Sequence, residues 1–116
     1  MSLENDIQTT LSAVSQATGG VFHDTAPQNT PAPYIVWSLI SRTANNNFKG
    51  LSNLQQARVQ IDSYAKSQQS RYDLEAAATT AMLASALSII KISEQHIFEA
   101  DVRLFRAQSD FSVWSL

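Results

Sequence analysis

Residues 54–66, LQQARVQIDSYAK, decide how the rest of the chain is read. Ala57, Val59, Ile61, Ser63 and Ala65 alternate strictly with Arg58, Gln60, Asp62 and Tyr64. A period of two sends successive side chains to opposite faces, so the stretch is a strand with one apolar and one polar face. An apolar run precedes it, a long helical pattern follows it, and a second β-rich run ends the chain. Every other element must pair with this strand or pack against it.

The apolar run before it, residues 34–41, reads YIVWSLIS. Ile35, Trp37 and Leu39 make one face of a strand, while Tyr34, Val36 and Ile40 make the other face nearly as apolar. A strand apolar on both faces is covered on both. One layer of helices covers only one face of a small sheet. The face carrying Tyr34, Val36 and Ile40 is therefore a candidate subunit contact. Between the two strands, residues 42–56 (RTANNNFKGLSNLQQ) form a polar loop longer than a tight hairpin needs. Asn45, Asn46, Asn47 and Gly50 favour turns and left-handed backbone. Such a loop reads equally as a functional loop held on a rigid scaffold or as a merely solvated connection.

Working outward toward the N-terminus, Leu3, Ile7, Leu11 and Val14 trace one helical stripe. Ser2 can cap it, Glu4 and Asp6 suit the positive end of its dipole, and Gly19 with Gly20 supply a stop. The spacing predicts a helix over residues 3–17, followed by a short extended piece at Val21, Phe22 and His23. All three prolines fall between positions 27 and 33, which makes an ordered, non-helical connector into the next strand. Toward the C-terminus, Ser67 or Ser70 can cap a second helix, Asp73 completing an approximate capping box if Ser70 is the cap. The following run RYDLEAAATTAMLASAL is alanine-rich and free of Gly and Pro. Leu74, Ala77, Ala78, Ala81 and Ser85 make a small-residue stripe that lets this helix sit close on a sheet. From Ser88 the β-formers return, and Phe105, Ala107, Ser109, Phe111 and Val113 alternate with polar residues. That alternation is long for one strand, so a bulge or a projecting end is expected there. The order predicts an α+β domain over residues 1–116, an antiparallel sheet of about four strands with two helices on one face.

At 116 residues the chain is one domain. Charged residues make up 16% and the formal net charge is -2, so nothing points to sequence-specific binding of nucleic acid. The charge is unevenly spread: Glu4, Asp6 and Asp24 face no base up to Ser41, whereas Arg42, Lys49, Arg58 and Lys66 then meet Asp62 alone. This polarity either helps orient one copy against another or is ordinary surface variation. With no cysteine there is no disulfide frame, thiol nucleophile or Cys-type zinc site. The opening MSLENDIQTTLSAV lacks a basic region and a continuous apolar stretch, so no secretory leader is expected. No apolar run approaches the ~20 residues of a membrane span.

Site chemistry is thin. His23 beside Asp24, and His96 near Glu94 and Glu99, are the histidine–carboxylate neighbourhoods, and neither has metal-ligand spacing. No serine sits in G-x-S-x-G or S-x-x-K, and Gly19 with Gly20 makes no phosphate loop. Trp37, Tyr64, Phe105 and Trp114 could line a pocket or stack on bases, but strand aromatics belong by default to core or interface. Arg58 with Tyr64 imitates an RNA-binding sheet only weakly, because the RNP aromatic pattern is absent. No cofactor, no metal and no enzymatic activity is expected.

Several segments together resemble the small tail-completion proteins of tailed phages. They are the opening helix MSLENDIQTTLSA, then GGVFHDTAPQNTPAPYIVW, then ARVQIDSYAKS leading into a helix, and the closing DFSVW. The match touches nearly the whole chain in the same order, but not the segments 42–55 and 94–102. The resemblance implies a virion structural protein that terminates the tail tube or joins it to the head connector, made in the bacterial host cytoplasm. It also implies an α+β fold closing into a homo-oligomeric ring, usually six-fold, with the tail tube protein and head connector protein as partners. In such a ring Tyr34, Val36 and Ile40 would contribute to the subunit interface. Arg42, Asn45, Asn46, Asn47, Phe48 and Lys49 would face the lumen or an axial partner. Two other classes stay open from the residues alone: a small ligand-binding or catalytic α+β domain with a pocket between sheet and helices, and a toxin–antitoxin or regulatory subunit.

Overall fold

The computed structural model describes residues 3–44, 55–85 and 88–115. In chain order its elements are α1 (Leu3–Ser12), β1 (Val21–His23), β2 (Tyr34–Ala44), β3 (Gln55–Ala65), α2 (Gln68–Ala84), β4 (Ser88–Glu99) and β5 (Leu104–Ser115). The strands form one sheet in the order β1-β2-β3-β5-β4, so the alternating strand β3 is central. The α+β class and the one-sided helices are as expected, but the sheet has five strands and is mixed. β1 is the addition, and it runs parallel to β2, with Val21 opposite Ile35 and His23 opposite Trp37. Parallel neighbours cannot be joined by a tight turn, and the proline-rich residues 24–33 carry the chain back to the start of β2.

The apolar face of β3 meets the helices. Ile35 and Trp37 of β2, Ala57, Val59 and Ile61 of β3, and Phe111 and Val113 of β5 pack with Ile7 and Leu11 of α1. Leu74, Ala78 and Met82 of α2 complete this core, with Ala77 and Ala81 against it. The small-residue stripe thus faces the sheet. The Trp37 indole is anchored through Gln8. Its Nε1 donates to Gln8 Oε1 at 2.7 Å, while Gln8 Nε2 donates to the Val21 carbonyl at 3.0 Å, tying α1 to β1.

Several boundaries differ from expectation for local reasons. α1 ends at Ser12 rather than near residue 17. The Ser12 hydroxyl donates to the Gln8 carbonyl at 2.6 Å, and Val14 N–H closes back on Leu11 O, which converts the last stretch to tight turns. Val14 stays buried even so. At α2 the cap is Ser67, whose Oγ accepts from Ser70 N–H at 3.0 Å. Asp73 makes no capping box and accepts instead from Gln69 at 2.9 Å. Gly19 N–H donates to Pro33 O at 2.7 Å, and a Cβ at Gly19 would lie 1.8 Å from Pro31 O. Only glycine admits so close an approach of the connector.

The segment between β2 and β3 is shorter than expected, because β2 continues to Ala44 and β3 starts at Gln55. Arg42 pairs with Ala57 and Thr43 with Gln56. The last run is regular in β5, and the expected bulge falls on its partner β4, between Lys91 and Ser93. A second bulge interrupts β2 between Leu39 and Ser41. Ile40 and Ile92 are the extra residues.

Phe111 is fully buried in the core, whereas Ile92 is 46% exposed. Phe111→Ala is expected to lower unfolding stability by about 3–5 kcal/mol. Ile92→Ala should stay within about 1 kcal/mol in the isolated chain. Urea midpoints at unchanged slope measure both, and equal losses would contradict the one-sided core.

Candidate assembly surface

The outer face of the sheet follows from the registers. Its rows run Tyr34, Tyr64, Arg106, Ile97; then Val36, Asp62, Gln108, Gln95; then Ser38, Gln60, Asp110, Ser93; then Ser41, Arg58, Ser112, Ile90. This is the polar face of β3 extended across its neighbours.

An aromatic and ionic cluster closes one end of that face. Tyr34 stacks on Tyr64 with ring centroids 4.9 Å apart, and Phe22 meets Tyr34 edge-on at 6.5 Å. The Arg106 guanidinium lies 5.8 Å from the Tyr64 centroid, and it pairs with Asp62 at 3.1 Å and Glu99 at 2.9 Å. Burial pushes the Asp62 carboxyl up, against the opposing pull of Gln60 and Arg106. Burial likewise raises the Tyr34 and Tyr64 hydroxyls.

The three predicted contact residues therefore sit in different surroundings. Val36 is only 9% exposed, lying opposite Phe22 of β1. Tyr34 is half-buried in the tyrosine stack. Ile40 is 57% exposed at the bulge. Of the predicted loop, Arg42 lies at the end of β2 and pairs with Glu4 of α1 at 3.0 Å. Asn45, Asn46, Asn47, Phe48 and Lys49 lie outside the described residues.

The histidines are both engaged. His23 stacks on Trp37 at 3.9 Å and lies 3.6 Å from Asp24. His96 is bonded to Glu94 at the helix-side surface of β4. That neighbourhood continues inward: Lys91 donates to Glu94 at 2.6 Å and to the buried Glu75 of α2, which also accepts from Thr79 at 2.7 Å. The Lys91 hydrogen bond, helped by His96, holds the Glu94 carboxyl down to about 2 against its partial burial. Among the described residues no group of three or more His, Cys, Asp or Glu could hold a metal ion. No helix among them is long and apolar enough to cross a membrane.

Sequence reasoning missed the two strand edges. β1 pairs with only Ile35, Val36 and Trp37, so from Ser38 onward no strand among the described residues pairs with the edge of β2 that faces away from β3. β4 is the opposite edge along its whole length. Both carry exposed isoleucines at or beside their bulges: Ile40 on β2, and Ile90 (57%) with Ile92 (46%) on β4. The available signal was the segment SIIKIS, apolar yet interleaved with polar residues on both faces.

The family model for tail completion protein gp17 matches residues 7–115. No curated protein sequence matches the chain. Among solved structures, a chain from the virion of a native gene transfer agent particle aligns with a TM-score of 0.72 and 13% identity. The alignment covers 97% of this chain and 92% of that one, a likeness of fold.

Because the Glu94 carboxyl sits below its ordinary value in the folded chain, its charge stabilises the fold above about pH 4.5, and this contribution is lost as pH falls toward about 2. Glu94→Gln is expected to lower stability by roughly 0.5–1 kcal/mol at pH 7. Thermal melts across pH should show the two proteins converging between pH 4.5 and 2; a gap independent of pH would rule out the charge as its cause.

Proposed function

Since the chain belongs to the gp17 family of tail completion proteins, a structural role in a phage tail follows, and we propose that it ends the tail tube as a ring and joins it to the head connector. The family match across residues 7–115 carries this reading. The geometry supports it: a filled core beneath one face of the sheet, and apolar side chains standing out at the strand edges where a neighbouring copy could reach them.

In this reading the protein acts by shape and contact and performs no catalytic step. Its place is the tail–head junction of the virion, and its partners are further copies of itself, the tail tube protein and the head connector protein. Ile40 is the most accessible member of the proposed subunit contact. Val36 and Tyr34, held by Phe22 and Tyr64, give it a stiff base rather than much contact area. Arg42 and residues 45–49 carry the proposed axial or lumen contact. A contact between unlike surfaces closes into a ring when its rotation divides the circle.

Electron microscopy of particles made without this gene tests the proposal. Overlong tails, or tails and heads left separate, are expected. Intact virions would overturn it.

A further inference from the structure

The two edges of the sheet that no described strand covers match one another in direction, level and side-chain content. β2 and β5 run one way, and β3 and β4 run the other. A second copy set beside the first in the same orientation would bring its β4 against β2 of the first in antiparallel sense. The level is fixed by the cross-strand rows. Ser38 shares a row with Ser93, and Ser41 shares one with Ile90. Residues 88–93 of β4 therefore stand at the same height as residues 38–43 of β2. Below that height β1 already occupies the edge of β2, opposite Ile35, Val36 and Trp37. A neighbour can add only above Trp37.

We propose, resting on the ring reading above, that copies join by main-chain pairing of residues 88–93 of one copy with residues 38–43 of the next. The sheet then runs on from subunit to subunit. Unpaired edge amides and carbonyls supply the hydrogen bonds, as in any strand addition. Ile40 on one side and Ile90 with Ile92 on the other supply apolar surface at the same level, where a single chain leaves all three in water. The bulges lie within the two segments and leave Ile40 and Ile92 out of their own subunit's ladder, and β1 stops the pairing from sliding down. A second copy is the occupant because one contact uses both edges at once, and a closed ring leaves neither exposed.

The chain has no cysteine, which makes the test direct. Antiparallel partners have Cα atoms roughly 4.5–5.5 Å apart, within disulfide reach. Two double variants are assembled with tail tubes and oxidised: Ser41→Cys with Ile90→Cys, and Ser38→Cys with Ser93→Cys. At least one should give a denaturing-gel ladder rising to the full ring, at least tenfold above either single-cysteine control. Rings that form without a ladder from either pair would overturn the edge pairing and leave the ring reading intact. If the unchanged chain forms no ring on tail tubes, both fall.

Discussion

Helices on one face of a five-stranded sheet leave its other face and its two edges to be managed by the strands themselves. The structure divides that labour along β3. Its row of Ala57, Val59 and Ile61 goes beneath α1 and α2. Its opposite row of Gln60, Asp62 and Tyr64 is satisfied by β2 and β5, through the Tyr34 stack and the pairing of Arg106 with Asp62. Asp62 is nearly buried, and taking its charge out of water offsets much of what the ion pair contributes. The pair is better understood as fixing which residues of β3 and β5 lie side by side than as a source of stability. A one-residue slip of β5 would turn Arg106 to the helix side and strand Asp62.

The same division separates what the chain finishes alone from what it leaves open. The core is complete, the outer face is polar and internally bonded, and the aromatic end is closed by Phe22. The edges are not complete. β1 covers three residues of β2, and among the described residues no strand pairs with the edge of β4 that faces away from β5. In this member of a tail completion family, the strand edges are the part of the sheet that the described residues leave unpaired.

Much of this was readable in advance where side-chain periodicity is strong. The alternation in residues 57–65, the helical stripe of Ile7 and Leu11, and the alanine-rich face of α2 each report burial, and burial is what periodicity encodes. Three features escaped. Residues 21–23 read as a short extended piece, but not as a strand parallel to β2, because that pairing depends on Gly19 meeting the proline connector at long range. The pairing is why Val36 is covered within its own subunit while Ile40, four residues on, is not. The bulge at Ile40 breaks the period of two midway along β2 and sends Arg42 toward Glu4 on α1. The open edge of β4 could not be seen because strand order is set by which strands find one another, a non-local choice that composition does not record.

Backbone amide exchange, compared between the free chain and the chain assembled on tail tubes, tests the central claim most directly. Open edges that are closed by neighbouring copies predict at least tenfold slower exchange on assembly for amides within residues 38–43 and 88–93, with the core beneath β3 unchanged. Equal exchange at both edges in the two states, with protection appearing elsewhere, would contradict it.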